Sequence, residues 1–519
     1  MAQWNKINQD YLNQERSLFE VYMCADRYGN IDNCGGTASG SGAFGEQIVS
    51  QIYPIFQLDA IYGLNSDRFE LFTNGTGITT SSTLMQVESG TGAYGYGVIR
   101  SKRAVRYRPG QGALGRFTAQ FSGIATGYTQ RAGFFSQEQA LQVGYSTEGK
   151  FGFLRANGGK AHIHRFLITT PASGTENITV TLAGIATTVS IGAGTSTQNA
   201  TGIGTHTYNG WIVDRKNGYL DFLSTTVGPL SGTFSIVSDG DLVATGSTSQ
   251  VGVNQTNEWT YQEDWNHDTL TGVGGSTNPS NMKIDPTKLN VYQINYRWLG
   301  VGEIRLAVEN QQTGDIMPVH HIHYTNQNNN VHLDNPSLKI GYVAAELDGN
   351  TGTGVTVSGA SMMGAIEGLV NTTTNPIAAF RSKTGGMNTT NIKYHLLSLK
   401  SGLIDNNKIN QRELLIKKVS ALTTASSTAP CFLYLYLDAP TDNPLDYEPL
   451  GNASSYSRSD AQIIGGEPIA VFCVTNGAPE TIDLESLRIV LPPQRTLTMA
   501  ISSDSNLQRA ECAVTFIED

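Results

Sequence analysis

Hydrophobic and polar residues alternate most regularly near residue 290. Tyr292, Ile294, Tyr296 and Trp298 fall on one side of an extended chain, with polar residues between them. A period of two predicts a half-buried β-strand. The stretch 299–302, Leu-Gly-Val-Gly, supplies a turn, and apolar alternation resumes beyond it. The pattern therefore predicts two antiparallel strands that share one core.

Short, turn-bounded strands of the same kind recur along the chain. An Asn-Gly pair at 74–75 separates two alternating runs, which is typical of a β-hairpin. Beyond residue 371 there are five further strand candidates, at 412–424, 431–438, 467–477, 486–503 and 509–518. Their spacing favours a second sandwich or a jelly roll.

The segment 168–256 differs from its surroundings, because it has few charges and many Gly or Asn-Gly breaks. We interpret it as a small domain inserted into a larger one. The predicted fold class is all-β, with tandem antiparallel β-sandwich or jelly-roll modules, an inserted small β-domain and an N-terminal arm. The predicted domains are the anchoring arm at 1–45, a split β-sandwich at 46–167 plus 257–370, the insert at 168–256 and a C-terminal β-sandwich or jelly roll at 371–519.

The predicted arm differs from the rest of the chain. Residues 8–23 could form a short helix, and a Gly- and Ser-rich stretch after residue 35 is typical of a flexible leader. We expect this arm to anchor the chain on a partner protein. Its candidate interface residues are aromatic or apolar: Trp4, Tyr11, Leu12, Phe19 and Tyr22.

Composition and charge narrow the classes of partner. Charged residues make up 15% of the chain and Gly contributes 57 residues, a polar but weakly charged mixture that is common in large assemblies. The net charge of −10 argues against a nucleic-acid partner, since an acidic surface repels phosphates. No signal peptide and no apolar run of membrane-spanning length are visible, so we expect no membrane partner and synthesis in a cytoplasm.

The five cysteines follow no zinc-binding spacing. Cys24 and Cys34 could pair across a turn, but in a reducing cytoplasm we interpret them as free thiols. Cys431, Cys473 and Cys512 each sit among apolar residues, and we predict that they fill space in the core.

The stretch 106–121, RYRPGQGALGRFTAQF, raises a choice between an anion site and a structural corner. Its candidate corner residues are Arg106, Arg108, Pro109, Gly110 and Arg116. Pro followed by Gly suits a type II turn, which needs positive φ at the Gly. We favour the corner, because surface arginines near turns are common and are usually only solvated. These arginines point out from the strand and could pair with acidic residues of a neighbouring chain.

Histidines offer a possible metal site. His162 and His164 share one face of a strand, as do His321 and His323, while His320 faces the other way. Two such pairs on adjacent strands could bind Zn²⁺ or Ni²⁺. A carboxylate or a third ligand nearby in sequence is missing, so we expect no metal and place these histidines at the solvent or an interface.

Two polar or aromatic clusters could also bind a ligand. The stretch 264–268, Asp-Trp-Asn-His-Asp, could line a sugar or Ca²⁺ loop, although turn formation is the favoured interpretation. Tyr292, Tyr296 and Trp298 could form a sugar-stacking platform, but their alternation favours the core. No nucleophile elbow, phosphate loop or metalloprotease motif is present, so we expect no enzyme, no catalytic residues and no cofactor.

Several motifs resemble one family of proteins. The corner 107–111 and the strand 116–121 are similar to those of virion structural proteins of tailed bacteriophages, of the marine and cyanophage type. Further matching stretches lie at 284–288, 291–306 and 319–324, so the resemblance covers about 45–370, and 4–30 resembles a leader shared among such phage proteins. The family supplies no catalytic residues to carry over.

This resemblance implies a structural component of a phage virion, assembled in the host cytoplasm. We expect a capsid-surface or tail/baseplate appendage that is anchored by its N-terminus and forms a homo-oligomer among other virion proteins. An alternative is a receptor- or carbohydrate-binding adhesin that recognises a host-surface glycan. A polysaccharide depolymerase is a third alternative, because paired carboxylates can be distant in sequence.

Overall fold

The protein is described by a computed structural model. It describes residues 24–25, 31–32, 51–74, 78–81, 83–216, 218–349, 351–368, 375–387, 392–406, 408–425 and 430–519. Strands account for 56% of the chain and helix for 3%, which confirms the all-β prediction. Within the described residues, no helix has the length and apolar character needed to span a membrane.

The chain divides into two compact units, Met1–Ile52 with Glu367–Leu369, and Tyr53–Ile366 with Val370–Asp519. In the first unit, strands β1 (Cys24–Ala25) and β2 (Ile31–Asp32) pair antiparallel. Cys34 and the predicted helix at 8–23 lie outside the described residues. The candidate anchor residues also lie outside them: Trp4, Tyr11, Leu12, Phe19 and Tyr22.

The elements of the second unit follow in chain order. Before the insert they are β3 (Ile52–Asp59), β4 (Phe69–Asn74), β5 (Ile78–Ser81), β6 (Leu84–Glu88), β7 (Tyr96–Ser101), β8 (Gly112–Phe121), β9 (Tyr128–Phe135), β10 (Ala140–Tyr145) and β11 (Phe151–Asn157). Through the insert they are β12 (Ala161–Thr170), β13 (Glu176–Leu182), β14 (Ile185–Ile191), α1 (Ser196–Gly204), β15 (Trp211–Lys216), β16 (Tyr219–Val227), β17 (Ser235–Ser238) and β18 (Val243–Gln250).

The sandwich then resumes with β19 (Thr256–Tyr261), a 3₁₀ turn (Gln262–Asp264), β20 (Asn290–Arg297), β21 (Ile304–Glu309), β22 (Ile316–Ile322), β23 (Lys339–Glu346), β24 (Thr356–Gly359) and β25 (Ser361–Glu367). The C-terminal elements are β26 (Ile377–Met387), β27 (Tyr394–Ser401), β28 (Ile404–Asp405), β29 (Lys408–Ile409), β30 (Leu414–Ala425), β31 (Cys431–Leu437), β32 (Glu448–Pro449), β33 (Ser454–Ser457), β34 (Pro468–Val474), β35 (Glu480–Asp483), a 3₁₀ turn (Glu485–Leu487), β36 (Val490–Leu491), β37 (Thr496–Ser503) and β38 (Leu507–Glu518).

The split sandwich consists of two antiparallel sheets. One has seven strands in the order β19-β11-β10-β9-β23-β7-β4. The other has nine, with the path β22-β21-β20-β8-β24-β6-β5, with β25 paired to β8 and β3 paired to β25. Tyr292, Ile294 and Tyr296 of β20 are fully buried in the core, which confirms the alternation predicted from the sequence. The rings of Phe134 and Tyr296 meet edge to face at 5.4 Å, a favourable aromatic geometry.

The insert has its own buried core between a four-stranded sheet, β15-β16-β12-β18, and a three-stranded sheet, β14-β13-β17. Its sheet begins at Ala161, so the boundary expected at residue 168 falls within β12. The segment also contains one short helix, α1, which was not predicted from the sequence. Thr195 caps that helix through a capping box with Gln198, which satisfies free backbone N–H groups at the first turn.

The C-terminal segment also packs two antiparallel sheets around a core. Their orders are β26-β38-β30-β35, with β36 on β30, and β32-β33-β27-β37-β31-β34. Cys431 and Cys512 are buried there as predicted. The prediction for Cys473 was wrong, because it lies exposed on β34, where alternate residues face outward.

Within the second unit, an ion pair joins the split sandwich to the C-terminal segment, and an apolar cluster joins the insert to the C-terminal segment. Arg103, just after β7, binds both oxygens of Glu413, with Nε 3.0 Å from Oε1 and Nη2 2.7 Å from Oε2. Ile163 and Leu223 of the insert share a small buried cluster with Leu403. The predicted domain boundaries stay a prediction.

Candidate functional site

The stretch 106–121 forms a turn followed by strand β8. The backbone N–H of Gln111 donates to the carbonyl of Arg108 at 3.0 Å, and Gly110 has φ of +84°. Pro109 and Gly110 therefore occupy the two central positions of a type II turn. A residue with a Cβ would be strained at Gly110, although the space around it is open.

The arginines of this corner have partners within the same chain. Arg108 and Arg106 both face the carboxylate of Asp519, with Arg106 Nη1 3.4 Å from Oδ1. Arg116 donates through Nε and Nη2 to Gln293 Oε1, at 2.9 and 2.6 Å. For Arg106 and Arg108 the acidic partner is Asp519 of the same chain rather than a residue of a neighbouring one.

The corner at 107–111 and the stretches 284–288 and 291–306 meet in the split sandwich. Tyr107 of the corner packs edge to face on Trp298, with ring centroids 5.3 Å apart. Its hydroxyl accepts a hydrogen bond of 3.1 Å from the backbone N–H of Leu299. The stretch 284–288 contacts β8, the strand that follows the corner, because the backbone N–H of Phe121 donates to Pro286 O at 3.0 Å.

His162 and His164 lie on β12 of the insert, far in topology from β22. Both side chains are buried, so the expectation that they face solvent or an interface was wrong. The ring of Phe234 stacks on each imidazole, at centroid distances of 4.9 and 4.5 Å. Burial, with a smaller contribution from His162, lowers the pKa of His164 to about 4. Uncharged imidazoles stacked on a phenyl ring are packing groups of this core.

His321 and His323 instead meet His267, a residue of the loop after β19. One ring nitrogen from each of the three lies within 4.8 Å of the others. The rings of His267 and His321 have centroids 3.8 Å apart. His321 is buried, whereas His267 and His323 are exposed. Burial and the neighbouring His267 lower the pKa of His321 to about 4, so its imidazole is neutral at pH 7.

Asn266 fixes the loop that carries His267. Its side chain exchanges two hydrogen bonds with the backbone of His321, Nδ2 to O at 2.8 Å and N to Oδ1 at 2.9 Å. The N–H groups of His267 and Asp268 both donate to Val319 O at 3.1 Å. The buried Asp268 carboxylate accepts from two loop N–H groups, which agrees with turn formation as the role of 264–268.

Glu303, just before β21, completes the surroundings of this histidine cluster, which comprises His267, His321 and His323. Its Oε1 lies 2.7 Å from Nδ1 of His321 and 3.7 Å from Nδ1 of His323. Arg305 binds the other oxygen, with Nε 2.7 Å from Oε2. Burial alone would raise the pKa of Glu303, but the hydrogen bond and charge of Arg305 lower it on balance. The carboxylate is therefore ionised beside the imidazoles.

From the sequence, His321 and His323 were weighed only together with the pair on β12, no metal was expected there, and His267 was assigned to a turn. The structure instead brings His267 next to His321 and His323. The sequence signal that could have placed His267 near β22 is Asn266, the residue before it. An Asn side chain in a loop can hydrogen-bond to backbone N–H and C=O groups.

A second feature is a cleft of about 610 Å³ between the insert and the C-terminal segment. Helix α1 forms part of one wall, and Arg215, Lys400, Asp442, Asn443 and Tyr447 contribute to its lining. These side chains offer donors, acceptors and one aromatic face. Such a lining can bind a polar ligand.

No family model and no curated protein matches the sequence. Among solved structures, the chain is similar to arcelin-5, a lectin-like defense protein from Phaseolus vulgaris, at 11% identity and a TM-score of 0.22. The match covers 60% of this chain and 99% of that chain. At that TM-score the likeness carries no argument.

Proposed function

We propose that the chain is a non-enzymatic structural component of a phage virion, a capsid-surface or tail/baseplate appendage anchored by its N-terminal arm. The observation that carries the proposal is the contact of Tyr107 with Trp298 and Leu299. Motifs separated by almost 200 residues resemble one virion family, and they support each other in one sandwich. The contact between these residues within one sandwich supports a shared module over scattered matches.

The C-terminal segment supports self-association. Strand β34 is the last strand of its sheet among the described residues. Ile469 and Val471 are 44% and 47% exposed on its outer face, beside the exposed Cys473. An edge strand with exposed apolar side chains is a ready site for pairing with another chain. A second copy of the protein within the particle is the partner that this proposal assigns to β34.

Purified phage particles provide the test. Antibodies against the C-terminal segment should label intact particles in immunogold electron microscopy, and peptides of the chain should persist in particles after density-gradient purification. A chain without residues 1–45 should be made but not incorporated. Absence from particles overturns the virion proposal, whereas incorporation of the truncated chain overturns only the anchoring role.

The polar cleft favours adhesion to a host-surface glycan as a second candidate function. Sugars bind through planar polar groups and aromatic faces, and Asn443 and Tyr447 supply both in the cleft. The full chain should bind a glycan array, and Asn443→Ala should weaken binding while Asn329→Ala, at an exposed site elsewhere, should not. Binding that is absent, or equal in both variants, contradicts this candidate.

A further inference from the structure

The histidine cluster lies where two distant parts of the chain cross. His321 lies near the end of β22, the edge strand of the nine-stranded sheet, and His323 directly follows that strand. His267 comes from the loop that Asn266 holds against that edge. The three imidazoles are therefore brought together by backbone contacts that do not depend on the histidine side chains.

We propose that His267, His321 and His323 bind one divalent transition-metal ion, with Zn²⁺ as the ion that fits best. Imidazole nitrogens suit zinc, copper, nickel and cobalt, whereas calcium and magnesium require oxygen ligands. Three histidines with a fourth position for water form a recognised zinc geometry. The cluster thus has the donor type and number that such an ion needs.

The distances allow this coordination. Zn–N bonds of 2.0–2.1 Å place tetrahedral ligand nitrogens about 3.3 Å apart. The three nitrogens are already within 4.8 Å of one another. His267 and His323 are exposed, so their side chains can rotate the remaining distance without disturbing the core. Only the position of His321 is fixed by burial.

His321 provides the independent sign of a ligand. Its side chain is 8% exposed, and its Nε2 is buried without a hydrogen-bond partner. A buried polar atom left unsatisfied is costly and calls for an explanation. Nδ1 faces Glu303 at 2.7 Å, which assigns the proton to Nδ1 and leaves the lone pair on Nε2. A metal ion bound at Nε2 would satisfy that atom.

Glu303 has the position of the carboxylate that orients a metal-bound histidine. In many zinc sites the second ring nitrogen of a ligand donates to a carboxylate, which fixes the ring and increases its basicity. Here Arg305 in turn holds Glu303 through Oε2. The bound ion would fasten the loop after β19 to the edge of the sheet, a structural role that involves no chemical step.

Metal binding by the full-length chain tests the proposal. The protein is purified without a histidine tag, stripped with EDTA and titrated with Zn²⁺ by calorimetry, and with Co²⁺ by visible absorption. We expect one ion per chain and the intense d–d bands of tetrahedral cobalt. His267→Gln and His323→Gln should each weaken binding at least tenfold, and Glu303→Gln should weaken it about 10–100-fold. His206→Gln, at an exposed histidine outside the cluster, is the matched control and should bind as the parent does.

A second measurement needs no variant. Diethyl pyrocarbonate modifies accessible imidazoles, and mass spectrometry locates the products. Zn²⁺ should protect His267 and His323 in the parent chain while leaving His206 reactive. The proposal is overturned if the parent binds no ion at micromolar Zn²⁺, if the two cluster variants bind as tightly as the His206 control, or if protection is absent.

Discussion

Lys400 and Asp214 form a buried ion pair between the C-terminal segment and the insert, with Nζ 2.9 Å from Oδ1. Their side chains are 10% and 1% exposed. The other carboxylate oxygen of Asp214 accepts from the backbone N–H of Leu403 at 2.9 Å. The attachment of the insert to the C-terminal segment thus includes a charged contact removed from solvent.

Removing one partner of this pair should destabilise the protein more than removing a surface pair. Asp214→Ala leaves the Lys400 charge buried without its counter-ion, so we expect a loss of about 3 kcal/mol in the free energy of unfolding. Lys400→Met in the same chain should recover part of that loss. Glu448→Ala is the control, since its pair with Arg458 is half exposed and should contribute under about 1 kcal/mol. Urea denaturation measures all four chains, and equal losses for Asp214→Ala and Glu448→Ala would contradict the expectation.

The corner turn gives a second prediction. Gly110→Ala introduces a Cβ at φ of +84° with no atom within 4 Å, so its cost is backbone strain alone, about 1–2 kcal/mol. Gly92→Ala is matched to it, because the space there is equally open and φ is not in the left-handed region. That control should be neutral or slightly stabilising. Thermal unfolding of the two variants distinguishes a strained turn from a general intolerance to alanine.

Buried histidines predict a loss of stability in mild acid. Burial lowers the pKa of His332 and His395 to about 4, below the value near 6.5 of an unfolded chain. As pH falls below 6.5 the unfolded chain takes up protons that the folded chain does not, so the free energy of unfolding falls between pH 6.5 and 4. We expect roughly 1–2 kcal/mol for each residue at pH 5.

Urea denaturation at several pH values, in the presence of EDTA, checks this dependence. His332→Leu removes one titrating group, so its stability should fall less between pH 7 and 5 than that of the parent. A parent chain equally stable at both pH values would contradict the expectation, because it would mean that these imidazoles take up protons as readily in the folded chain as in the unfolded one.

Local patterns predicted the strands well. The side chains around Ile294 alternate between the two faces of strand β20. The burial of one face therefore follows from the period of two in the sequence. Helix α1 was missed because its Thr- and Gly-rich residues have low helix propensity. The sequence did carry its start signal, Thr195 followed three residues later by Gln198.

The candidate site depended on information that periodicity does not contain. His267 and His321 are separated by more than 50 residues, and their contact exists because a loop crosses an edge strand. The order of strands in a sheet is a tertiary property. A period of two places His321 and His323 on one face, but it does not say which loop covers that face.

The edge strand β34 gives a prediction about assembly. Val471→Lys places a charge among the exposed apolar side chains of this edge, so it should shift the full chain towards monomer. Val273→Lys, at a more exposed valine in a loop, should leave the mass unchanged. Light scattering after size-exclusion chromatography reports the mass of each. A parent chain that is monomeric at high concentration would remove the case for self-association through β34.

The side chain of Asn266 has a further consequence. It occupies the backbone N–H and carbonyl of His321 at the margin of the nine-stranded sheet, as a neighbouring strand would. An incoming peptide therefore finds no free pair of groups there to extend the sheet. Together with the loop N–H groups that donate to Val319 O, this amide leaves the end of β22 without the free backbone groups that an added strand would need.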